Sequence, residues 1–342
     1  MSLNDKKIVL VDAYSQIFRA FYAVRNLSNS KGFPTNALHG FAKILMKLNR
    51  EYESLYGAVV FDCGRVNFRM ELNPEYKANR KPTPEELKMQ VPAIREFIEA
   101  FGWVILEECE YEADDLIGAI ARSFDGEVKF LSSDKDLSQL INERITQLLP
   151  DTKNAFFERT PERVAEKFGV AVELLIDYLS LLGDSADNIP GVAGIGPKGA
   201  VKILNNYGSL NSIFANPTLV TDEKVRTKLL ENRELIEKNI ALITLKTTLP
   251  DKLKNLDEIC CKKAINFEKL FSLCDEYDLN SLRKDIEKLA KENNFTLQKV
   301  NNNNDDLFGS DENSLFSCVE TVEKSLDSTD NNGGYYQADL FE

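Results

Sequence analysis

WVILEECEYEADDLIG, residues 103–118, joins a short apolar run to an acidic cluster and then to a helical pattern. The apolar residues after the cluster recur at the i, i+3, i+4 and i+7 spacing of one helix face. Glu112, Asp114 and Asp115 are therefore expected to open a helix and to lean over one end of it. Acidic residues also favour a first turn because they complement the helix dipole, so this stretch alone leaves a structural and a functional interpretation open.

Three other apolar runs end in acidic residues in the same way: Lys6–Asp12, Leu55–Asp62 and Glu127–Asp136. Helical patterns over about residues 35–52, 85–101 and 112–124 alternate with the four runs. This alternation predicts an α/β fold with a parallel sheet covered by helices on both faces. In such a sheet the binding crevice lies outside the carboxyl ends of the strands. All four acidic groups are therefore expected in one crevice.

Carboxylates that share a crevice need something to neutralise them. Two of them ~4 Å apart repel by about 4 kcal/mol at an effective dielectric constant near 20. Few bases are interleaved with these acids, Lys135 being the main one, so bound cations are expected. The single histidine, His39, excludes a His-ligated zinc site and an obvious Ser-His or Cys-His nucleophile pair. Oxygen ligands favour Mg²⁺ or Mn²⁺.

The charge of the chain is unevenly distributed. Its formal net charge is −13, and residues 301–342, with ten acids and one Lys, carry −9 of it. Residues 1–300 are therefore at −4, and their surface is net basic if nine carboxylates form a metal site. A nucleic-acid partner is then compatible with an acidic chain.

Length and composition exclude several other classes of protein. The 342 residues, 43% of them apolar, predict two domains or one large domain with attachments. No 18-residue apolar run and no signal peptide is present, so a cytoplasmic protein without membrane contact is expected. Six cysteines without a C-x-x-C pair predict reduced thiols, with neither a zinc site nor a disulfide framework.

Two acidic residues and a glycine-rich turn follow a predicted helix at about residues 171–182. Asp184 and Asp187 come after that helix, so the dipole explanation fails, and they are either ligands or part of an Asx turn. The segment GIGPK, residues 194–198, then opens another helix whose free N–H groups suit a phosphate. With Lys198 and Lys202 beside it, the pattern indicates sequence-independent backbone contact, with a plain inter-helix turn as the alternative.

Residues 65–84 combine bases with aromatic residues directly after an active-site strand. This combination is typical of a surface that binds a single-stranded backbone, although a charge run is more often a solvated face. The bases and aromatics are Arg65, Phe68, Arg69, Tyr76, Lys77, Arg80 and Lys81. After Asn293 the composition predicts disorder.

Taken together and in order, these motifs resemble the bacterial 5′→3′ exonuclease and flap-endonuclease family, which includes the N-terminal nuclease domain of family-A DNA polymerases. The resemblance runs from Asp12 to about Leu289. It rests on VDAY (11–14), VFD (60–62), YKANR (76–80), YEADD (111–115), SDKDL (133–137), GDSADNIPGV (183–192) and GIGPK (194–198).

The family resemblance implies a PIN-like nuclease core with a mostly parallel central sheet, a helical arch, and a helical DNA-binding subdomain with a helix-three-turn-helix element. In this sequence the core corresponds to residues 1–182, with the arch at about 64–100. The helical subdomain corresponds to residues 183–292, and the composition of residues 293–342 predicts a disordered acidic tail. No polymerase or proofreading domain follows, so a stand-alone nuclease is expected.

The resemblance also implies a role for individual residues. Two Mg²⁺ or Mn²⁺ ions are expected, the first held by Asp12, Asp62, Glu112, Asp114 and Asp115, the second by Asp136, Asp184 and Asp187, with Asp134 between them. Lys77 and Arg80 are expected at the scissile phosphate, and a K⁺ ion at the helix-three-turn-helix turn. The expected DNA contacts are Arg65, Arg69, Tyr76, Lys81, Gly194, Gly196, Lys198 and Lys202.

The implied activity is that of a two-metal 5′→3′ exonuclease and 5′-flap endonuclease in replication and repair. Its expected substrates are DNA with 5′ flaps, nicks or gaps, and RNA primers, in the nucleoid region of the cytoplasm. Two alternatives stay open: a related ribonuclease with an acidic site, and a non-catalytic junction-binding protein.

The last residues suggest a protein partner. QADLF, residues 337–341, resembles the bacterial sliding-clamp-binding pentapeptide, in which Gln337 would set the register while Leu340 and Phe341 fill an apolar groove. Partial copies occur at DDLF (305–308) and NSLF (313–316). A chance match in a low-complexity tail is the alternative interpretation.

Overall fold

The computed structural model describes residues 6–24, 27–64, 68–151 and 155–295, and a six-stranded sheet forms its centre. The strands lie in the order β3-β2-β1-β4-β5-β6. All neighbours pair in parallel except β5 and β6, which are antiparallel. The predicted mostly parallel sheet is confirmed. The strands are β1 (Lys7–Asp12), β2 (Tyr56–Phe61), β3 (Val104–Glu107), β4 (Glu127–Leu131), β5 (Ile145–Pro150) and β6 (Phe156–Arg159).

The register of the central strands brings their carboxyl ends level. Asp12 pairs with Val60 of β2, and Val11 pairs with Leu131 of β4. Because the three strands are parallel and end at the same height, the residues that follow them lie along one edge of the sheet. The first four strands are those that the apolar runs predicted.

The helices cover both faces of this sheet. Alternate β1 residues point to opposite faces: Ile8 and Leu10 belong to a buried apolar cluster with Leu116 and Leu179, whereas Val9 and Val11 belong to a second cluster with Phe41 and Phe97. The helices are α1 (Ala13–Ala23), α2 (Asn36–Glu51), α3 (Phe68–Leu72), α4 (Glu85–Lys88), α5 (Val91–Ala100), α6 (Ala113–Ser123), α7 (Pro161–Phe168), α8 (Leu175–Leu182), α9 (Pro197–Tyr207), α10 (Leu210–Ala215), α11 (Glu223–Glu231), α12 (Arg233–Ile243), α13 (Leu256–Ile259), α14 (Phe267–Glu276) and α15 (Asn280–Glu292).

Several elements differ from the sequence-based expectation. Helix α1 was not predicted, because its apolar residues are largely aromatic and have modest helix propensity. Strands β5 and β6, the last two in the order of the sheet, were missed as well, since β6 has only four residues and Pro150 ends β5. The helix predicted over 171–182 is a 3-10 turn, Val172–Leu174, followed by α8.

Helices α9 to α12 share a buried apolar cluster with α6 and α8 on one face of the sheet, whereas α14 and α15 belong to the cluster on the other face. A two-stranded hairpin of β7 (Gly183–Asp184) and β8 (Ile189–Pro190) connects α8 to the loop before α9. The longest of the helices in the described ranges, α2, has 16 residues, and none of them combines the length and apolar character needed to cross a membrane.

A disulfide joins Cys63 and Cys109, whose Cα atoms are 4.8 Å apart. The prediction that the cysteines are reduced thiols is therefore wrong for this pair. Their separation of 46 residues is no local signal, and only the parallel pairing of β2 with β3 brings them together. Cys260 and Cys274 are free thiols.

Candidate active site

Asp12 lies where β1 passes into α1 and serves both elements. Its Oδ1 accepts a hydrogen bond from the N–H of Ser15 at 3.1 Å and so caps α1. Its Oδ2 accepts one from the hydroxyl of Ser132, next to the end of β4, at 2.7 Å. Burial raises the pKa of Asp12 to about 7, with the nearby charges of Asp62 and Asp134 adding to the effect. The carboxylate is thus held rigidly at the edge of the sheet.

Asp62 connects β2 to the start of α6. Its Oδ1 accepts a hydrogen bond from the N–H of Ala113 at 2.8 Å, and Glu112 is the N-cap residue of that helix. The acids therefore do open a helix, as predicted. Burial, together with the charges of Asp134 and Asp12, raises the pKa of Asp114 well above its usual range. Burial also raises the pKa of Asp62, despite its bond to Ala113.

Asp134 and Asp136 form a compact pair after β4. The N–H of Asp136 donates to Oδ1 of Asp134 at 2.8 Å, and Asp136 begins a 3-10 turn. Oδ1 of Asp136 is buried and has no hydrogen-bond partner among the described residues. Burial and the charge of Asp134 raise the pKa of Asp136 to about 7. A cavity of about 10 Å³ lies between Asp136 and the facing carboxylates Glu112, Asp114 and Asp187.

Asp184 and Asp187, which sit on the β7–β8 hairpin, are partnered by bases. Oδ1 of Asp184 accepts from the N–H of Ala186 at 2.8 Å, so the Asx turn is present. Its other oxygen lies 2.8 Å from Nζ of Lys135. Burial alone would raise the pKa of Asp184, but the hydrogen bond and charge of Lys135, together with the backbone N–H donors of the turn, lower it. Asp187 accepts from Nη2 of Arg80 at 2.6 Å.

Arg69, on α3, is only 2% exposed and pairs with carboxylates. Its guanidinium donates to both oxygens of Asp115, at 2.6 and 2.7 Å, and to Oε2 of Glu112 at 3.1 Å. Its Nε donates to the carbonyl oxygen of Leu242 at 2.7 Å. The expected DNA contact by Arg69 is corrected, because the side chain is enclosed by protein. Asp115, 1% exposed and also bound by the N–H of Lys246 at 2.8 Å, has both oxygens engaged.

Tyr76 and Lys77 also turn toward the carboxylates. The hydroxyl of Tyr76 lies 3.2 Å from Glu112 and 3.4 Å from Asp187, and the ring is buried. An exposed stacking contact between Tyr76 and DNA is therefore a second correction. Nζ of Lys77 donates to Oε1 of Glu112 at 2.7 Å. Lys77 has a φ of 58°, in the left-handed region that non-glycine residues rarely adopt, and its N–H bonds the carbonyl of Asp187 at 3.0 Å.

The predicted carboxylates thus converge on one crevice in this structure, but bases stand between several of them. Within the described ranges, no three His, Cys, Asp or Glu side chains are arranged around one point as a preformed metal site. The donor chemistry nevertheless fits a divalent cation held by oxygen. Asp136 offers an unpartnered oxygen, and burial raises the pKa of Asp12, Asp62, Asp114 and Asp134, an effect that a bound cation would oppose.

The glycine-rich turn lies apart from the carboxylates and presents bases to solvent. Gly194 has a φ of +77°, and a Cβ there would meet Nζ of Lys228 at 2.7 Å. Gly196 is the N-cap residue of α9, with Pro197 in the first turn. Lys198 and Lys202 of α9 are exposed, as is Lys81. Lys228 of α11 was not singled out from the sequence, because only the packing of α11 against the turn brings it there.

Four predicted site residues fall outside the described part of the chain. They are Arg65, Gln337, Leu340 and Phe341.

Family models match most of the chain. Residues 7–169 match a model described as "5'-3' exonuclease, N-terminal resolvase-like domain", and residues 170–266 match "5'-3' exonuclease, C-terminal SAM fold". The first match spans the sheet and most of the crevice, and the second, from α8 to the loop before α14, contains Asp184 and Asp187.

Comparison with individual proteins agrees with these two family models. The chain is 37% identical over 290 residues to a 5′-3′ exonuclease of Aquifex aeolicus, which covers 84% of this chain and 97% of the relative. It is 39% identical over 295 residues to DNA polymerase I of Bacillus subtilis, covering 84% of this chain but only 32% of the polymerase. A solved bacteriophage T5 flap endonuclease, in complex with DNA and metal ions, has a TM-score of 0.54 at 22% identity and covers 84% of this chain and 100% of its own. The chain belongs to the 5′-3′ exonuclease family.

Proposed function

We propose that this protein is a divalent-metal-dependent nuclease that hydrolyses phosphodiester bonds in DNA, acting as a 5′→3′ exonuclease and a 5′-flap endonuclease. The observation that carries the proposal is the crevice at the carboxyl ends of β1, β2 and β4, where Asp12, Asp62, Asp114, Asp134 and Asp136 lie without a salt bridge to any described residue. Such a set of buried acids needs cations to stay ionised.

In this proposal the crevice holds two Mg²⁺ or Mn²⁺ ions. Asp12, Asp62, Glu112 and Asp114 would hold one, Asp136, Asp184 and Asp187 the other, with Asp134 between them. Bound ions of this kind lower the pKa of an attacking water and neutralise the oxygens of the phosphate in an in-line displacement. Asp115 is assigned to a different role, because Arg69 occupies both its oxygens. It orients α6, and with it Asp114.

Lys77 and Arg80 are proposed to act on the phosphate. In this structure each is paired with a carboxylate of the crevice, Glu112 and Asp187 respectively. Cations that neutralise these carboxylates would free the two bases, and an incoming phosphate could then replace the carboxylate as their partner. Placed there, they would stabilise the charge that develops in the transition state and contribute more to rate than to affinity.

The glycine-rich turn is proposed to hold the duplex through its backbone. Lys198, Lys202 and Lys228 cluster around the start of α9, and the free N–H groups of that helix suit a phosphate. A K⁺ ion at the turn, together with DNA contacts by Gly194 and Gly196, belongs to the same proposal. Lys198→Ala should weaken duplex binding and reduce the slope of log affinity against log salt by about one. An unchanged slope would remove Lys198 from the phosphate contacts.

The deciding experiment measures cleavage of a 5′-labelled DNA flap with Mg²⁺ and with EDTA. Nicked, gapped and RNA-primed duplexes, together with unstructured RNA, serve as parallel substrates. We expect flap cleavage that requires the metal and leaves a 5′-phosphate. Preference for unstructured RNA would support a ribonuclease instead. Metal-independent binding of the flap without any cleavage would support a junction-binding protein.

The tail is proposed to bind a bacterial sliding clamp through Gln337, Leu340 and Phe341. The support is the sequence QADLF and its partial upstream copies, and the benefit would be a high effective concentration of the nuclease at the clamp. Leu340→Ala combined with Phe341→Ala should remove clamp binding in a titration and leave cleavage of naked flap DNA unchanged. Clamp affinity that survives the double substitution contradicts the assignment.

A further inference from the structure

The β7–β8 hairpin, which carries two of the acids proposed to hold the second cation, is anchored at its base by a buried asparagine. Nδ2 of Asn239, on α12, donates to the carbonyl oxygens of Ser180 at 2.9 Å and of Pro190 at 2.8 Å. These carbonyls belong to α8 and to β8. The base of the hairpin is therefore fixed to the helices, and its turn, residues 185–188, contacts residues 73–80.

Asn188, the last residue of that turn, ties the hairpin to residues 73–80 through both ends of its side-chain amide. Its φ of 57° lies in the left-handed region, which asparagine adopts more readily than most other residues with a side chain. Its Oδ1 accepts a hydrogen bond from Nδ2 of Asn79 at 2.9 Å, and its Nδ2 donates to the carbonyl oxygen of Glu75 at 2.8 Å. Because a carbonyl can only accept, the bond to Glu75 fixes the direction in which the amide points.

The other contacts between the two segments include an ion pair. Arg80 donates to the carboxylate of Asp187 at 2.6 Å, and the backbone N–H of Lys77 donates to the carbonyl oxygen of Asp187 at 3.0 Å. In the proposed function a cation takes the Asp187 carboxylate and Arg80 turns to the phosphate, so this ion pair is lost during the reaction. The bonds of Asn188 join uncharged groups and need no such exchange. They persist, and they keep Lys77 and Arg80 beside the hairpin.

We propose that Asn188 is a positioning residue for the cleavage reaction. Through its two amide bonds it holds Lys77 and Arg80 in a fixed place relative to Asp187 while cations and phosphate occupy the crevice. Asn188 acts through the groups that it aligns and not on the phosphate itself. This inference rests on the proposed nuclease function, but the bonds exist in the metal-free protein. Their effect on residues 73–80 is therefore measurable without any cleavage.

The surroundings of Asn188 allow its side chain to be removed with the fold retained. Asn188 is half-buried and, with Asn79 and Ser185, lines a cavity of about 450 Å³ that has the room and the polar groups to hold water. Glycine at position 188 adopts a positive φ without strain. Asn294 provides the matched control, because it is an exposed asparagine with the same φ of 57°, beyond the end of α15. Asn188→Gly and Asn294→Gly thus make one chemical change at two places.

The first test needs neither metal nor substrate. Hydrogen exchange is measured by mass spectrometry on the full-length protein in EDTA, for peptides that cover residues 73–80. Asn188→Gly should exchange about tenfold faster there than the unsubstituted protein, because two hydrogen bonds that hold the segment are lost. Asn79→Ala removes one of the two bonds and should have a smaller effect, while Asn294→Gly should have none. Equal exchange in Asn188→Gly and the unsubstituted protein overturns the proposal.

The second test separates positioning from binding. Single-turnover cleavage of a 5′ flap in saturating Mg²⁺ should be about 10–100-fold slower in Asn188→Gly, the range typical for loss of a residue that orients metal ligands. The titrated flap affinity should be nearly unchanged, and Asn294→Gly should cleave at the unsubstituted rate. Adding Asn79→Ala to Asn188→Gly should slow cleavage no further, because Asn79 has already lost its partner.

Three results of the second test overturn the positioning role. They are parallel losses of rate and affinity in Asn188→Gly, a loss of equal size in Asn294→Gly, and additive losses of rate from Asn79→Ala and Asn188→Gly. Absence of cleavage by the unsubstituted protein contradicts the proposed nuclease function instead. The exchange measurement then decides by itself whether Asn188 fixes residues 73–80 against the hairpin.

Discussion

The carboxylates of the crevice fall into two groups that differ in how their charge is balanced. Glu112, Asp115, Asp184 and Asp187 each pair with Arg69, Lys77, Lys135 or Arg80 at distances from 2.6 to 3.1 Å. The carboxylates of the second group accept hydrogen bonds only from uncharged donors, or accept none, and burial raises the pKa of every member. They are Asp12, Asp62, Asp114, Asp134 and Asp136.

The difference shows at which carboxylates the chain itself supplies the neutralising positive charge. Each carboxylate of the paired group lies beside a base that offsets the cost of its burial in this structure. The second group lies at the strand ends and on α6, where backbone and hydroxyl donors orient the carboxylates but supply no positive charge. Bound cations would therefore stabilise the protein most at the second group. The ion pairs of the first group set the geometry of the second.

The largest effect is expected when a member of the unpaired group loses its charge. Asp134→Asn keeps the shape of the side chain, yet it should lower the cleavage rate by more than about 10²-fold, since even outer-shell partners of a metal cost 10–100-fold. DNA affinity should stay within about tenfold, because the lost charge also repelled phosphate. Single-turnover cleavage and titration of flap DNA measure both quantities. Glu85→Gln, which also removes one acid but lies outside the crevice, should cleave normally. Near-normal cleavage by Asp134→Asn would contradict the two-group description.

The paired group is tested by removing its buried base. Arg69→Met should lower the free energy of unfolding by about 3–5 kcal/mol, because Asp115 and Glu112 then stay buried without their counter-ion. Urea unfolding measures this. Arg80→Met is the matched control, since the Arg80 side chain is 54% exposed, and it should cost less than about 1 kcal/mol. Equal losses in the two variants would mean that burial does not distinguish these ion pairs.

Lys77 pairs with Glu112 of the first group and faces the phosphate in the proposed mechanism. Lys77→Met should slow the chemical step on the order of 10²-fold and leave the titrated affinity nearly unchanged. Lys81→Met provides the control, since this exposed lysine should affect binding more than chemistry. Parallel losses of rate and affinity in Lys77→Met would make Lys77 a simple binding residue.

The pH dependence of stability should also separate the two groups. Asp12 and Asp136 have a pKa of about 7 in the folded protein, against 3.8 as the ordinary value. Between these values the folded state holds protons that the unfolded state has released, so raising the pH destabilises the fold. Without divalent cations, the free energy of unfolding should fall from pH 5 to about pH 7 by about 1.4 kcal/mol per pH unit for each such proton, and level off above that pH.

Mg²⁺ should flatten this slope, because the cation competes with the protons for the same carboxylates. Asp136→Asn should flatten it in the absence of metal. The measurement is urea unfolding at several pH values with and without Mg²⁺. A stability that rises between pH 5 and pH 7 in the metal-free protein would refute the assignment of raised pKa values.

Much of the fold and of the site could be predicted from local patterns. The apolar runs before Asp12, Asp62 and Asp134 predicted three parallel strands, and the rule that such strands present their carboxyl ends together placed those acids in one crevice. The helical period after Glu112 predicted where α6 begins. These inferences succeeded because each depends only on neighbours in the sequence and on the regular geometry of strands and helices.

The partners of these residues were decided by tertiary structure. Arg69 was interpreted as a DNA contact because its sequence neighbours are basic and aromatic, but α3 carries it to Asp115, 46 residues away. Cys63 finds Cys109 over the same distance, because β2 and β3 pair in parallel. The sequence by itself determined which residues carry charge and which end of each strand they follow. Only the packed fold decided which charges are neutralised, since that depends on distances between elements that no local period encodes.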